Sequence, residues 1–209
     1  MRRWSEVAER VAATTRTSEK TRLLADFLRT LPADELRIAA VFLAGRPFAE
    51  ADARATGLGW ATIAGAVSGL AGAPAGALGE AYDRSSDLGV AVADLLARSN
   101  GSRPPEPADG PTLTEVAHAY AAIERASGPA AKGALFADLL ARCDPLTAKY
   151  VVKVLTGELR IGLREGLLEA AIAVGFDRPL DAVKRAGMLT GDIGATAVLA
   201  RDDALETAG

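Results

Sequence analysis

Tyr150-Val151-Val152-Lys153-Val154-Leu155-Thr156-Gly157-Glu158-Leu159-Arg160-Ile161-Gly162-Leu163-Arg164-Glu165-Gly166-Leu167-Leu168 is the most telling run of the chain. Its apolar first part predicts a helix ending at Gly157, the residue type that most often caps a helix C-terminus. A short extended link follows, with Leu159 and Ile161 on one side and Glu158 and Arg160 on the other. Gly162 and Gly166 then bracket the start of the next helix. Glycines let a backbone come close to a ligand, and a helix N-terminus points N–H groups outward. From Arg142 to Arg164 there are five basic and two acidic residues. Two readings fit these residues. One is a phosphate-gripping surface using Arg160, Arg164, Lys149 and Lys153; the other is a helical connection with solvated charges.

Outward from this run the periodicity stays helical. Leu23, Leu24, Phe27, Leu28 and Leu31 fall at the spacing that makes one apolar stripe. Leu135, Phe136, Leu139, Leu140 and Cys143 repeat it, as do Leu113, Val116, Ala117, Tyr120 and Ile123. Thr112 and Glu115 predict a capping box, and Asp144-Pro145 a helix start. Strand-like alternation is almost absent. The expectation is an all-α fold of about twelve helices.

Residues 99–111, Ser99-Asn100-Gly101-Ser102-Arg103-Pro104-Pro105-Glu106-Pro107-Ala108-Asp109-Gly110-Pro111, have no apolar face and predict a linker. It divides the chain into expected lobes 1–98 and 112–209. The two resemble each other. Ser5-Glu6-Val7-Ala8 is echoed by Thr114-Glu115-Val116-Ala117. Arg22-Leu23-Leu24-Ala25-Asp26-Phe27-Leu28 is echoed by Ala134-Leu135-Phe136-Ala137-Asp138-Leu139-Leu140. Ser86-Asp87-Leu88-Gly89 is echoed by Gly191-Asp192-Ile193-Gly194. Any one match between Ala/Leu-rich helices is weak. Three in order predict an internal duplication, far longer than a solenoid repeat.

Composition narrows the function. The 209 residues suffice for a core without metal or disulfide, and no apolar run approaches the roughly 20 residues of a membrane span. Basic residues at the start lack an apolar stretch behind them, so no signal peptide is expected. The single Cys143 suits a reducing cytoplasm and a packing role. The net charge of −3 favours no nucleic acid overall, although cations can cluster on one face.

Catalytic motifs are scarce. His118 is the only histidine, so no metal site is expected, and no nucleophile–base pair stands out. The Gly/Ala-rich stretch from Gly65 to Gly79 lacks a Gly-Lys-Ser/Thr ending and reads as close helix packing. No catalytic residue and no cofactor is expected in this chain.

Leu155-Thr156-Gly157-Glu158-Leu159-Arg160-Ile161-Gly162-Leu163-Arg164-Glu165-Gly166-Leu167 resembles the signature of the N-terminal DNA-binding domain of ATP-dependent DNA ligases. The helix after Lys20, the Ala-Lys-Gly segment at Lys132 and Leu189-Thr190-Gly191-Asp192-Ile193-Gly194 extend the likeness over the chain. The resemblance implies a non-catalytic helical domain of two pseudo-symmetric lobes that grips nicked duplex DNA through the minor groove and phosphates. It carries DNA contact to Gly157, Leu159, Arg160, Gly162 and Lys132, with Arg164 alongside. In the first half it points to Lys20 and to Gly45 and Arg46, although Ala44-Gly45-Arg46-Pro47-Phe48 has no Leu-Arg-x-Gly. The family's adenylated lysine lies in Lys-x-Asp-Gly, which none of the five lysines here matches. The resemblance therefore implies a parent ligase whose adenylation and oligonucleotide-fold domains, absent here, use ATP and Mg. It implies a bacterial protein, cytoplasmic and at the nucleoid. The rival expectation is a protein-interaction module docking a sliding clamp or the other ligase domains.

Overall fold

The computed structural model describes residues 1–99 and 110–208. Among the described residues there are twelve α-helices, one short 3-10 turn and no strand, the all-α class expected from periodicity. They are α1 (Arg2–Ala13), α2 (Thr17–Leu28), α3 (Ala33–Leu43), α4 (Trp60–Ala71), α5 (Ala77–Ser85) and α6 (Leu88–Arg98). The second half contributes α7 (Leu113–Arg125), α8 (Gly128–Ala141), α9 (Pro145–Thr156), α10 (Glu165–Phe176), α11 (Leu180–Thr190) and α12 (Ile193–Arg201). Of the linker expected at 99–111, residues 100–109 lie outside the described residues.

Local signals account for the helix ends. Thr112 and Glu115 close the capping box of α7, each side chain bonding the other's backbone N–H. Asp144 caps α9 through its bond from Thr147 N. The stripe of α2 is buried, with Leu23, Leu24, Phe27 and Leu28 all in the core. Each such side chain stabilises the fold by roughly 1.5–3 kcal/mol.

The helices gather into two compact units, Met1–Arg2 with Arg54–Thr156, and Arg3–Ala53 with Gly157–Gly209. Neither coincides with the lobes expected at 1–98 and 112–209. Each unit takes three helices from each half. Periodicity shows that a helix has an apolar face; it does not say which distant helix covers that face.

In the first unit α4 packs on α8 and α6 on α9. Gly89, in the first turn of α6, permits the second contact: a Cβ there would lie 2.6 Å from Lys149 O. Asp87 caps α6 by accepting from Val90 N at 3.0 Å, and its other oxygen pairs with the Lys153 ammonium on α9. Tyr120 of α7, fully buried, donates to Val151 O at 2.7 Å, and burial pushes its phenol well above the usual range.

In the second unit α2 packs on α10 and α3 on α12. Gly194 does for α12 what Gly89 does for α6: a Cβ there would lie 2.6 Å from Arg37 O. Asp192 caps α12 by accepting from Gly194 N and Ala195 N, and pairs with Arg37 of α3 at 2.7 Å. The buried Trp4 ring of α1 meets Phe42 edge-on and donates its N–H to Ala39 O. Glycine and capping aspartate thus recur in the same arrangement in both units, each aspartate paired with a cation of the facing helix. That recurrence has the element order a duplicated six-helix set would produce.

Candidate nucleic-acid interface

The link between α9 and α10 is shaped by which side chains water rejects. Leu159 and Ile161 are buried, while Arg160, Gly162 and Arg164 are exposed and Glu158 is half-buried. The alternation read from the sequence is therefore present, with two interruptions. Gly157 (φ 73°) and Gly162 (φ 66°) occupy the left-handed region, where glycine carries no steric cost. Arg160 also sits there, at φ 46°, a conformation unfavourable for a side chain of its size. Its guanidinium lies 3.1 Å from the Glu158 carboxylate, with both groups largely in solvent. Such an exposed pair contributes only about 0–1 kcal/mol, so a phosphate can replace the carboxylate at little cost.

Lys20 stands beneath this link. It projects from α2, is only 6 % exposed, and donates to Ile161 O at 2.7 Å and Gly162 O at 3.1 Å. A Cβ at Gly162 would come within 2.6 Å of the Lys20 ammonium. The lysine expected at the surface thus works from within, holding two carbonyls of the link inward. Gly45 (φ 77°) is buried against the same link, its absent Cβ 3.3 Å from Leu159 Cβ. Arg46 is exposed and bonded to Glu50 at 2.8 Å. Arg46 and Arg164 both line a cavity of about 350 Å³, together with Phe48, Leu168, Met188 and Asp192.

All of these residues belong to the second unit. Lys132 belongs to the first, where it is half-buried on α8 and donates to Thr56 O at 2.6 Å. Lys153, read as one of the cations of the gripping surface, is instead buried in the first unit against Asp87. Burial alone would raise the Asp87 carboxyl; the bonds from Lys153 and Val90 N outweigh it and hold the group below its ordinary value. Lys149 lies over the Tyr150 ring at 5.2 Å. Cys143 is buried, as its packing role requires, and its thiol donates to Leu139 O. His118 is exposed on α7, and no metal-ligating cluster occurs among the described residues.

Residues 1–173 match the family model described as DNA ligase N terminus. The chain belongs to that family. Over 204 residues it is 42 % identical to a probable DNA ligase of Koribacter versatilis, covering 98 % of this chain and 34 % of that protein. A probable DNA ligase of Opitutus terrae is 38 % identical over 231 residues, covering 97 % of this chain and 23 % of its own. A DNA ligase of Methanocella arvoryzae is 35 % identical over 199 residues, covering 93 % and 35 %. The chain thus spans about a third or less of the length of these curated relatives. The signature that suggested ligases, Leu155 to Leu167, falls inside the matched stretch. No helix among the described residues is long and apolar enough to cross a membrane.

The sequence did not single out the link ahead of α4, Ala55-Thr56-Gly57-Leu58-Gly59, over which Lys132 reaches. The available signal was spacing. Gly57 and Gly162 lie 105 residues apart, as do Asp87 and Asp192, and Lys20 and Lys132 lie 112 apart, as do Gly45 and Gly157.

Proposed function

We propose that this ligase N-terminal domain binds nicked duplex DNA without sequence preference, through the minor groove and the phosphates. The observation that carries this reading is the link from Gly157 to Arg164. Buried Leu159 and Ile161 anchor it, left-handed glycines leave its backbone uncovered, and Arg160 and Arg164 stand outward. Backbone and arginine contacts of this kind position a protein on DNA and carry no base information. Gly157, Leu159, Arg160, Gly162, Arg164, Gly45 and Arg46 form the contact region of the second unit, with Lys20 holding it, and Lys132 is the contact of the first unit. In the parent ligase, adenylation and oligonucleotide-fold domains would use ATP and Mg to seal the nick in replication or repair, in the cytoplasm at the nucleoid.

Fluorescence-anisotropy titration of nicked and intact duplexes at low and moderate salt tests the reading, with Arg160→Ala alongside. Salt-sensitive binding is expected, and the variant should bind less tightly and show a salt slope smaller by about one unit. A variant with unchanged affinity and slope would remove Arg160 from the site. Absence of binding even at low salt would move the function to a protein partner.

One observation favours a protein-docking reading in addition. Val174 on α10 and Met188 and Leu189 on α11 are large apolar residues left in solvent, Met188 being 79 % exposed. A surface of this type suits another ligase domain or a sliding clamp. Binding through it would survive moderate salt.

A further inference from the structure

The outward side of α11 sets large apolar side chains among cations. Its exposed residues are Leu180, Asp181, Lys184, Arg185, Met188 and Leu189. Residues three and four apart on a helix are neighbours, so Met188 has Lys184 and Arg185 one turn before it. Val174 of α10, in the same unit, is exposed as well. The two cations are little engaged. Among the described residues Lys184 has no partner. Arg185 meets Glu206 only at 3.8 Å, with both side chains mostly in water. Asp181 stands in the first turn, where a carboxylate complements the helix dipole, and bonds neither cation. Met188 also lines, with Phe48 and Leu168, the cavity of about 350 Å³. Of that cavity's three carboxylates, Glu50 and Asp192 are bonded to Arg46 and Arg37.

We infer that the outward face of α11, with the cavity beside Met188, docks an acidic amphipathic peptide segment of a partner protein. This rests on the protein-docking reading above and names the chemistry of the partner. Charge complementarity selects the occupant. An acidic segment gives Lys184 and Arg185 the carboxylates they lack, and its apolar side covers Met188 and Leu189 while one side chain enters the cavity. A phosphate backbone would satisfy the cations but leave the apolar side chains in water, where they contribute nothing. A basic or neutral segment would cover the apolar side chains and leave the cations unpaired. Recognition by an apolar stripe with flanking charge is the way a groove reads an amphipathic helix, and the flanking cations set specificity against segments of the wrong sign.

The test is anisotropy titration of a fluorescein-labelled peptide with the 209-residue chain and with the parent ligase. The peptide matches α11 in its 11 residues and carries leucines and one phenylalanine among glutamates and aspartates. A second peptide replaces every acid by lysine and should bind at least about tenfold more weakly. The variants are Lys184→Glu and Met188→Ala, both at exposed positions where substitution leaves folding intact. Each should weaken the acidic peptide about tenfold, as expected at a docking anchor. Lys184→Glu should not weaken the lysine peptide. Equal binding of the two peptides would overturn the inference and leave a docking face without charge preference. Binding that neither variant alters would place the peptide elsewhere and overturn it too. So would Met188→Ala weakening a nicked duplex as much as Arg160→Ala does, which gives the face to DNA. A peptide bound by this chain and refused by the parent ligase would mean that another ligase domain covers the face, and the inference falls. If neither peptide binds, inference and docking reading fall together.

Discussion

The joint of α6 with α9 and the joint of α12 with α3 are built alike and charged differently. Both use a glycine in the first turn, a capping aspartate before it and a cation from the facing helix. In the first unit that cation is Lys153, whose side chain is 5 % exposed; in the second it is Arg37, 59 % exposed. The positions are not equivalent along the helix. Gly89 faces Lys149 and Lys153, whereas Gly194 faces Arg37 and Val41. The cation of the second unit therefore stands one turn earlier and in solvent, and Val41 fills the place that Lys153 takes in the first. Backbone proximity is common to both joints, while side-chain electrostatics have been free to differ.

The largest expected effect tests what the joints share. Gly89→Ala and Gly194→Ala each place a methyl 2.6 Å from a backbone carbonyl that cannot rotate away. Helix propensity alone would favour alanine by about 1 kcal/mol. Overpacking should outweigh it and leave each variant less stable by about 1–3 kcal/mol in urea titrations. A clear difference between the two would break the equivalence.

Next comes the charge difference. Lys153→Met leaves Asp87 partly buried without its cation and should cost about 2–3 kcal/mol, somewhat less than a fully buried pair. Arg37→Met removes an exposed partner and should cost about 0–1 kcal/mol. Equal costs in the same titration would show that burial does not set the contrast.

The smallest effect concerns the capping box that opens α7 in the first unit. Bonds from Thr112 and then Arg142 lower the Glu115 carboxyl to about 2. A depressed acid stabilises the fold above its unfolded value near 4.5 and loses that contribution as pH falls towards 2. Solvent screening keeps the effect small, because the side chain is 44 % exposed. Glu115→Gln should flatten the fall in melting temperature over that range by about 1–2 °C. A steeper fall in the variant would contradict the sign.

Part of the shape of the α9–α10 link could be read before the structure. Gly157 announced the end of one helix, Gly162 and Gly166 the start of the next, and the alternation of Leu159 and Ile161 with Glu158 and Arg160 announced two sides of the link. The lysines could not be sorted in the same way. Lys20 and Lys153 look like surface cations in sequence, yet one supports carbonyls from below and the other caps an aspartate across a helix joint. A lysine stem is long and apolar enough to be buried or exposed, and only its neighbours decide. The link at Thr56-Gly57 escaped notice because it carries no arginine of its own.

By itself, the sequence determined the helical class, several of the helix caps, the glycines of the α9–α10 link and the family likeness. The helices, caps and link depend on residues close together along the chain, and the likeness on several such short segments. Tertiary structure alone decided that α2 meets α10, that α3 meets α12, and that each unit draws on both halves. It also decided which cations are spent inside the fold. Partner choice depends on contacts between residues up to about 155 positions apart, such as Arg37 and Asp192, and no local pattern encodes them.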